Sequence, residues 1–351
     1  MPSSPQPLSH HTATASTLEF PPSRFPVRGA MDSDSTEVAF EAYGFRLYKD
    51  GHVVRSGRED RVAAGFDADT GVTSKDVVID AATGVTARLY LPPIQTAPPS
   101  ATAKLPVVVF FHGGYFIVGS PAEPMYHRYV NSLVATARVV AVSVGYRLAP
   151  ENHLPVAYDD SWTGLTWAMA GADPWLADHG DLGRVFLVGV SAGGNATHNM
   201  ALAAGVSGLP GTAAPALVEG VVLLHPSFSG EQKMEEEEEK FWRANNNRWR
   251  IIFPGAGATG GVDDPRINPT AAGAPSLAKL AGKRLLVCTA SEDPRAPRAK
   301  AYSEAVRASG WHGEVEWLES EGEGHGFFVL NPGPPRAEEL MDRVVAFIGG
   351  H

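Results

Sequence analysis

The sequence has little cysteine, no long apolar run and no excess of positive charge. Its single cysteine, Cys288, excludes an internal disulfide, and its place in the apolar run RLLVCTA is typical of a small buried side chain. The longest apolar run, LPVVVFF at 105–111, is as long as a strand and too short to span a bilayer. With 29 Lys and Arg against 39 Asp and Glu, the net charge is -10, which argues against nucleic acid or an anionic membrane as a partner.

Residues 1–30 lack the apolar stretch of a secretory signal and are rich in Ser, Pro, Thr and His. We expect residues 1–33 to form a disordered extension and residues 34–351 to form one domain. These features predict a cytoplasmic or nuclear location. Arg24 and Arg28, with Glu19 as the one acidic residue in this stretch, leave an organelle-targeting peptide as the alternative. No pattern indicates an oligomeric state.

Strand-like and helix-like runs alternate from about residue 105 onward. Continuous apolar runs such as VVVFF, RVFLVGV and RLLVCTA are separated by runs of helical character such as MYHRYVNSLVATA and PRAKAYSEAVRAS. Apolar strands that alternate with helices are typical of a mostly parallel sheet covered on both faces. The sequence therefore predicts an α/β fold.

One insertion interrupts this alternation, at residues about 228–265. The glutamate run 235–239 predicts a solvated helix face. Phe241, Trp242, Trp249 and Phe253 follow at helical spacing and belong either to the core or to the inner face of a cap. The late position of the insertion favours the cap, formed together with the N-terminal region.

A Gly-x-Ser-x-Gly pattern, Gly189 to Gly193, lies between the apolar run RVFLVGV and an alanine-rich helical run. A sharp turn between strand and helix exposes a serine hydroxyl at the carboxyl edge of a sheet, where ligands gather. This context identifies Ser191 as the candidate nucleophile. The alternative is that the pattern occurs by chance and has no function, since by itself it is a weak signal.

A serine hydroxyl needs a base, and in hydrolases of this architecture the acid and then the histidine follow the serine along the chain. His325, in the glycine-rich stretch EGEGHGFF, is the candidate base, whereas His312 and His351 are expected at the surface. Asp293 is favoured over Glu292 as the acid because a proline follows it and restricts the turn. Asp293 can also cap the helix that follows.

The oxyanion of an acyl-transfer reaction needs fixed donors. Gly113 and Gly114, after the apolar strand VVVFF, and the amide of Ala192 are the candidates. The alternative for the glycine pair is an ordinary turn.

These motifs resemble those of plant carboxylesterases of the hormone-sensitive-lipase group within the α/β-hydrolase fold. The likeness extends from about Asp34 to the C-terminus and includes HGGYF, YRLAPE, GVSAGGN and GEGHGFF. It implies an eight-stranded sheet flanked by helices, a cap, and hydrolysis of short or medium acyl esters without cofactor or metal. The resemblance also implies roles for six residues: Ser191 as nucleophile, Asp293 as acid, His325 as base, and Gly113, Gly114 and Ala192 as oxyanion hole.

The sequence departs from the family pattern at three positions. Tyr115 replaces the usual third glycine of His-Gly-Gly-Gly, and its ring either narrows the acyl site, donates a hydrogen bond there or points outward. Val190 replaces a frequent aspartate before the nucleophile, and Pro297 replaces an aspartate after the acid. The candidates for lining the substrate pocket are Tyr115, Phe116, Trp242 and Phe327.

Three functions compete on this scaffold. A serine esterase acting on a small-molecule ester is the leading hypothesis. A hormone-binding receptor is the second, but gibberellin-binding relatives lack the histidine that His325 supplies here. A dehydratase that uses the same histidine and oxyanion hole is the third.

Overall fold

An eight-stranded sheet forms the centre of the protein. The structure is a computed structural model that describes residues 37–42, 44–56, 61–94, 104–209 and 218–350. The predicted extension, residues 1–33, lies outside the described residues. In spatial order the strands are β11 (Glu314–Ser320), β10 (Arg284–Ala290), β9 (Val218–Leu224), β8 (Gly180–Val190), β6 (Leu105–Phe111), β7 (Val140–Gly145), β5 (Val85–Leu91) and β4 (Thr73–Asp80).

Eight α-helices lie among the described residues. They are α1 (Pro124–Ala137), α2 (Val156–Met169), α3 (Pro174–His179), α4 (Ala192–Ser207), α5 (Glu239–Ile252), α6 (Ala296–Ala308), α7 (Phe327–Leu330) and α8 (Pro335–Gly349). Short 3₁₀ segments cover Pro254–Ala258, Gly261–Asp263 and Leu277–Lys279. No helix in this described part of the chain is both long and apolar enough to cross a membrane.

The predicted α/β fold with a mostly parallel sheet is confirmed. Strands β11, β10, β9, β8, β6 and β7 pair in parallel. At one end of the sheet, β5 pairs antiparallel with β7, and β4 pairs antiparallel with β5. Apolar side chains on both faces of β6 through β9 are buried, in two clusters that lie on opposite sides of the sheet. Each such Val, Leu or Phe contributes roughly 1.5–3 kcal/mol by its removal from water, so this core holds the strand ends in fixed positions.

A small antiparallel sheet precedes the central one. It consists of β1 (Val38–Ala42), β2 (Phe45–Tyr48) and β3 (Val53–Arg55). The stretch FRLYKDGHVVR folds into a hairpin because Gly51, with a positive φ of 91°, turns the chain between β2 and β3. Strand β1 packs against α5.

The glutamate run does not form a helix face, and that prediction is wrong. Helix α5 begins only at Glu239, so most of the run lies in a turn. Glu237 is buried and accepts two hydrogen bonds from the guanidinium of Arg298, each of 2.8 Å. A buried arginine needs a paired charge, and this need draws one glutamate of an otherwise exposed run into the interior. Pro297 lies in the first turn of α6, where a missing N–H is harmless.

Candidate active site

The candidate residues gather where neighbouring parallel strands end. The nucleophile candidate Ser191 follows β8, and Gly113 follows β6, its neighbour in the sheet. Asp293 follows β10 and His325 follows β11, at the end of the same parallel set. Because the carboxyl ends of parallel strands share one edge of a sheet, side chains far apart in sequence meet there.

Ser191 occupies a strained turn between β8 and α4. Its φ is +56° and its ψ is -114°, a backbone conformation that costs a residue with a side chain on the order of 1–3 kcal/mol. The turn forces α4 close to β6, and a Cβ on Gly193 would lie 2.0 Å from the Phe111 carbonyl oxygen. Only glycine fits there, which explains the second glycine of the motif.

His325 bridges the serine and the carboxylate. Its Nε2 lies 2.9 Å from Ser191 Oγ, and its Nδ1 lies 2.7 Å from Asp293 Oδ2. Glu292, the weaker acid candidate, is exposed, and so is His312; His351 lies outside the described residues. The arrangement allows the imidazole to take a proton from the serine hydroxyl while the carboxylate holds the ring.

Asp293 is held ionised by several donors. Its Oδ2 also accepts a hydrogen bond from Nδ1 of a second histidine, His225, at 3.0 Å. Its Oδ1 accepts the backbone N–H of Arg295 at 3.0 Å, which organises the turn before α6. Burial opposes ionisation, but the interactions with His325, His225 and Arg295 outweigh it and hold the pKa of Asp293 well below its usual range.

The imidazole of His325 is neutral at physiological pH. Burial lowers the pKa of His325 to about 4, and the positive charge of Arg295 acts in the same direction, while Asp293 opposes both. A neutral imidazole beside a serine hydroxyl is the form that accepts a proton.

The oxyanion candidates lie around the serine. Ala192 is the first residue of α4, where an amide has no acceptor within the helix and the helix dipole favours negative charge. Gly113 lies against the nucleophile, since a Cβ added to it would come 3.2 Å from Ser191 Cβ. Gly114 has a φ of +110°, and a Cβ there would lie 2.1 Å from the Val118 carbonyl oxygen. The three residues thus adjoin Ser191 at the cavity, and their role as an oxyanion hole stays a prediction.

A cavity of about 410 Å³ opens onto these groups. Its lining includes Ser191, His325, Tyr115, Arg295 and Tyr126, together with the apolar side chains of Met125, Val329 and Leu330. Gly44 and Ser56, from the region of the small N-terminal sheet, form part of the wall. The cavity is large enough for a small organic ester.

Of the four predicted pocket residues, Tyr115 lines this cavity, whereas Phe116, Trp242 and Phe327 do not. Tyr115 and Phe116 both have left-handed φ values near 60°, and this double turn sends Phe116 into the core against Tyr158 and Trp249. The indole N–H of Trp242 donates to the Gly230 carbonyl at 3.0 Å. The ring of Phe327 packs against His225 because Gly326 turns the chain just before it.

A family model described as an alpha/beta hydrolase fold matches residues 108–329. The chain belongs to the α/β-hydrolase family. Three plant relatives are similar over most of the hydrolase. Tuliposide A-converting enzyme 1, chloroplastic, of Tulipa gesneriana is 38% identical over 96% of this chain and 84% of its own. The 2-hydroxyisoflavanone dehydratase of Glycyrrhiza echinata is 38% identical, with coverage of 86% and 93%. Probable carboxylesterase 2 of Arabidopsis thaliana is 37% identical, with coverage of 91% and 98%.

A solved structure supports the same assignment. Esterase LipW of Mycobacterium marinum has a TM-score of 0.65 and 26% sequence identity to the hydrolase, and the match covers 80% of this chain and 82% of that one. Together the comparisons identify an esterase-type α/β hydrolase, an enzyme of the hydrolase class. The resemblance to plant carboxylesterases of the hormone-sensitive-lipase group is thereby confirmed.

Sequence reasoning about this hydrolase missed three residues of the site. His225 follows β9, the strand between those that carry Ser191 and Asp293, and the rule of shared strand ends would have found it. The Tyr126 hydroxyl lies near Gly113, because a Cβ on Gly113 would come 2.8 Å from it. Arg295 lines the cavity while lying two residues from the acid, and no spacing rule marks it.

His225, Asp293 and His325 offer ligand atoms within 4.8 Å of one another, as a metal site would require. The Nδ1 atoms of both imidazoles, however, already bond to Asp293 Oδ2. The geometry of this cluster is that of a hydrogen-bonded carboxylate, and it supports no proposal of a metal.

Proposed function

We propose that this protein is a serine carboxylesterase that hydrolyses short- to medium-chain acyl esters through an acyl-enzyme intermediate. The observation that carries the proposal is the position of His325 between Ser191 Oγ and Asp293 Oδ2, at 2.9 and 2.7 Å. The relative named as a carboxylesterase supports the same activity.

In the acylation step, His325 Nε2 takes the proton of the Ser191 hydroxyl as Oγ attacks the ester carbonyl carbon. The carbonyl oxygen becomes an oxyanion, which the amides of Gly113, Gly114 and Ala192 stabilise. The imidazolium then gives its proton to the leaving alcohol oxygen, and the bond between that oxygen and the acyl carbon breaks. Asp293 stabilises the imidazolium without taking its proton.

Deacylation repeats these steps with water. His325 takes a proton from a water molecule, whose oxygen attacks the acyl carbon. The second tetrahedral intermediate collapses when Ser191 Oγ leaves with the proton from the imidazolium, and the acid is released. No cofactor enters either step. The N-terminal sheet and the region about 228–265 would form the cap that covers the acyl group.

Covalent labelling tests this proposal. A fluorophosphonate should react with one serine, and peptide mapping should find the adduct on Ser191. A Ser191→Ala variant of normal thermal stability should take up no label and should lose about 10⁴-fold or more of its esterase activity. A folded wild-type protein that neither labels nor hydrolyses any ester of a chain-length series would contradict the proposal.

A dehydratase is the second candidate, because one relative of 38% identity carries that name. An elimination needs a base and an oxyanion hole but no nucleophile. The same Ser191→Ala variant therefore separates the two, since a dehydratase would keep most of its activity.

The location within the cell is also a proposal. The tulip relatives are named chloroplastic and amyloplastic, which favours the targeting alternative over the cytoplasmic one. Fluorescent fusions of the full chain and of a chain that starts at Met31 distinguish them. Plastid signal that disappears on truncation supports targeting by residues 1–30, and diffuse signal from both supports the cytoplasm.

A further inference from the structure

A buried arginine lines the cavity beside the proposed nucleophile. The side chain of Arg295 is 3% exposed, yet it forms part of the same wall as Ser191 and His325. Its guanidinium lies between two rings, 5.4 Å from the centroid of Tyr115 and 4.9 Å from that of Phe241. A charge removed from water in this way is costly unless it is paired.

The pairing of Arg295 within the protein is incomplete. Its nearest carboxylate is Asp293, at 3.5 Å from Nη1, but Asp293 already accepts hydrogen bonds from two imidazoles. Its Nη2 donates to a neutral group, the Tyr115 hydroxyl, at 2.9 Å. Its Nε–H is buried without a hydrogen-bond partner. The guanidinium charge is therefore only partly compensated within the protein and can act on a ligand in the cavity.

A second buried arginine adds to the positive charge. Arg248 is fully buried, and its guanidinium carbon lies 5.0 Å from the Tyr115 ring centroid. It donates to Asn245 Oδ1 at 2.6 Å and to the backbone carbonyl of Tyr115 at 3.5 Å, and it has no ion pair among the described residues. Burial lowers the pKa of Arg248 to about 9, so the group remains charged at neutral pH. Two cations thus flank Tyr115.

Tyr115 has an unfavourable backbone. Its φ of 60° lies in the left-handed region, which is strained for a bulky residue. Its ring is held by edge contacts to Phe40 and Phe45, at 5.3 and 5.5 Å between centroids. Because its oxygen accepts the bond from Arg295, its own proton is available to a ligand in the cavity.

We propose that Arg295 and Tyr115 form an anion-binding subsite beside Ser191, and that the preferred substrate is an ester with a free carboxylate in its acid or its alcohol part. A carboxylate can accept from the guanidinium and from the tyrosine hydroxyl at once, and such charge-assisted bonds are the strong ones. This inference rests on the proposed ester hydrolysis.

Two matched substrate pairs test the subsite. The first is 4-nitrophenyl hydrogen glutarate with 4-nitrophenyl 5-methylhexanoate, which differ by a carboxylate against an isopropyl group on the acid part. The second is 3-acetoxybenzoate with 3-isopropylphenyl acetate, which differ likewise on the alcohol part. We expect kcat/KM for the anionic member of one pair to exceed that of its neutral partner about tenfold or more.

Substitutions at the subsite should change this ratio. Arg295→Leu should lower the anionic-to-neutral ratio of kcat/KM by about 10- to 100-fold, and Arg295→Lys should restore part of it. Because the ratio is taken within one variant, any effect of Arg295 on Asp293 and His325 cancels. Should Arg295→Leu fail to fold, Tyr115→Phe keeps the ring and removes one donor, and it should lower the ratio by a smaller factor.

The outcomes separate the two proposals. A wild type that prefers the neutral member of both pairs, or an Arg295→Leu variant that slows both members equally, would overturn the subsite and leave Arg295 a structural residue. Fluorophosphonate labelling of Ser191 and turnover of the neutral esters would still stand in that case. Failure of labelling and of all turnover would instead overturn the proposed hydrolysis, and the subsite with it.

Discussion

Nδ1 of His225 lies 3.0 Å from Asp293 Oδ2, so a second imidazole donates to the oxygen that also orients His325. The His225 side chain is fully buried and its φ is +50°. The carboxylate of the proposed triad is therefore held from two sides, and His325 does not by itself determine its orientation or its ionisation.

His225→Ala should weaken catalysis without removing the triad. Alanine has no side-chain donor for Asp293, and its small side chain tolerates the left-handed backbone better than a bulky one. The lost hydrogen bond to a charged group should lower kcat/KM by about 10- to 100-fold and raise the pKa of Asp293. His198→Ala is a matched control, since this buried histidine bonds to Tyr302 instead. A fully active, folded His225→Ala protein would show that His225 does not support catalysis through Asp293.

Asp293→Asn should lower kcat by about 10³- to 10⁴-fold, because an amide at this place favours the wrong tautomer of the imidazole. The adjacent Glu292→Gln is the matched control. Because Glu292 is exposed, this variant should hydrolyse the same ester at the wild-type rate. Steady-state kinetics on one neutral ester suffice. The reverse order of effects would assign the acid to Glu292.

On the acid side of the pH profile, kcat/KM should fall only at an unusually low pH. His325 acts as a base only when neutral, and its pKa is lowered to about 4, so kcat/KM should fall only as the pH drops through that region. Arg295→Leu removes a nearby positive charge and should move the limb to higher pH. Circular dichroism at each pH separates this titration from acid unfolding. A wild-type limb centred near 6.5, the ordinary value for histidine, would contradict the assignment.

Gly193→Ala should destabilise the protein by roughly 3 kcal/mol or more, because the new methyl group would overlap backbone oxygens of the strand beneath. Gly257→Ala is the control, with no atom within 4 Å of the added Cβ. Thermal or urea unfolding measures both. Equal stability of the two variants would show that the turn around Ser191 can relax.

Local patterns were sufficient for the fold class. Continuous apolar runs that alternate with helical runs are buried in a parallel sheet with both faces covered, and this alternation can be read directly from the sequence. The same holds for Ser191, since a glycine-flanked serine between a strand and a helix defines its own turn. The order of serine, acid and histidine then marked Asp293 and His325, which the structure brings within hydrogen-bond distance. Their catalytic roles, like the domain limits, remain predictions.

What local patterns could not show was which side chains meet from different strands. Phe116 was predicted to line the pocket because it follows Tyr115. Two left-handed residues in succession instead place the Tyr115 side chain at the cavity and the Phe116 side chain in the core. In the sequence Glu237 cannot be distinguished from its exposed neighbours. It is buried because it pairs with the guanidinium of Arg298, which lies far along the chain.

The amino-acid sequence by itself determined the sheet, the turn that holds Ser191 and the residue types available for acyl transfer, because these depend on short-range periodicity and backbone sterics. Only the tertiary structure decided that His225 shares the carboxylate of Asp293 and that Arg295 meets Tyr115 at the cavity wall. Such contacts join residues 68 and 180 positions apart, and no local rule encodes them. They exist because packing of the parallel strands brings their carboxyl ends to one edge.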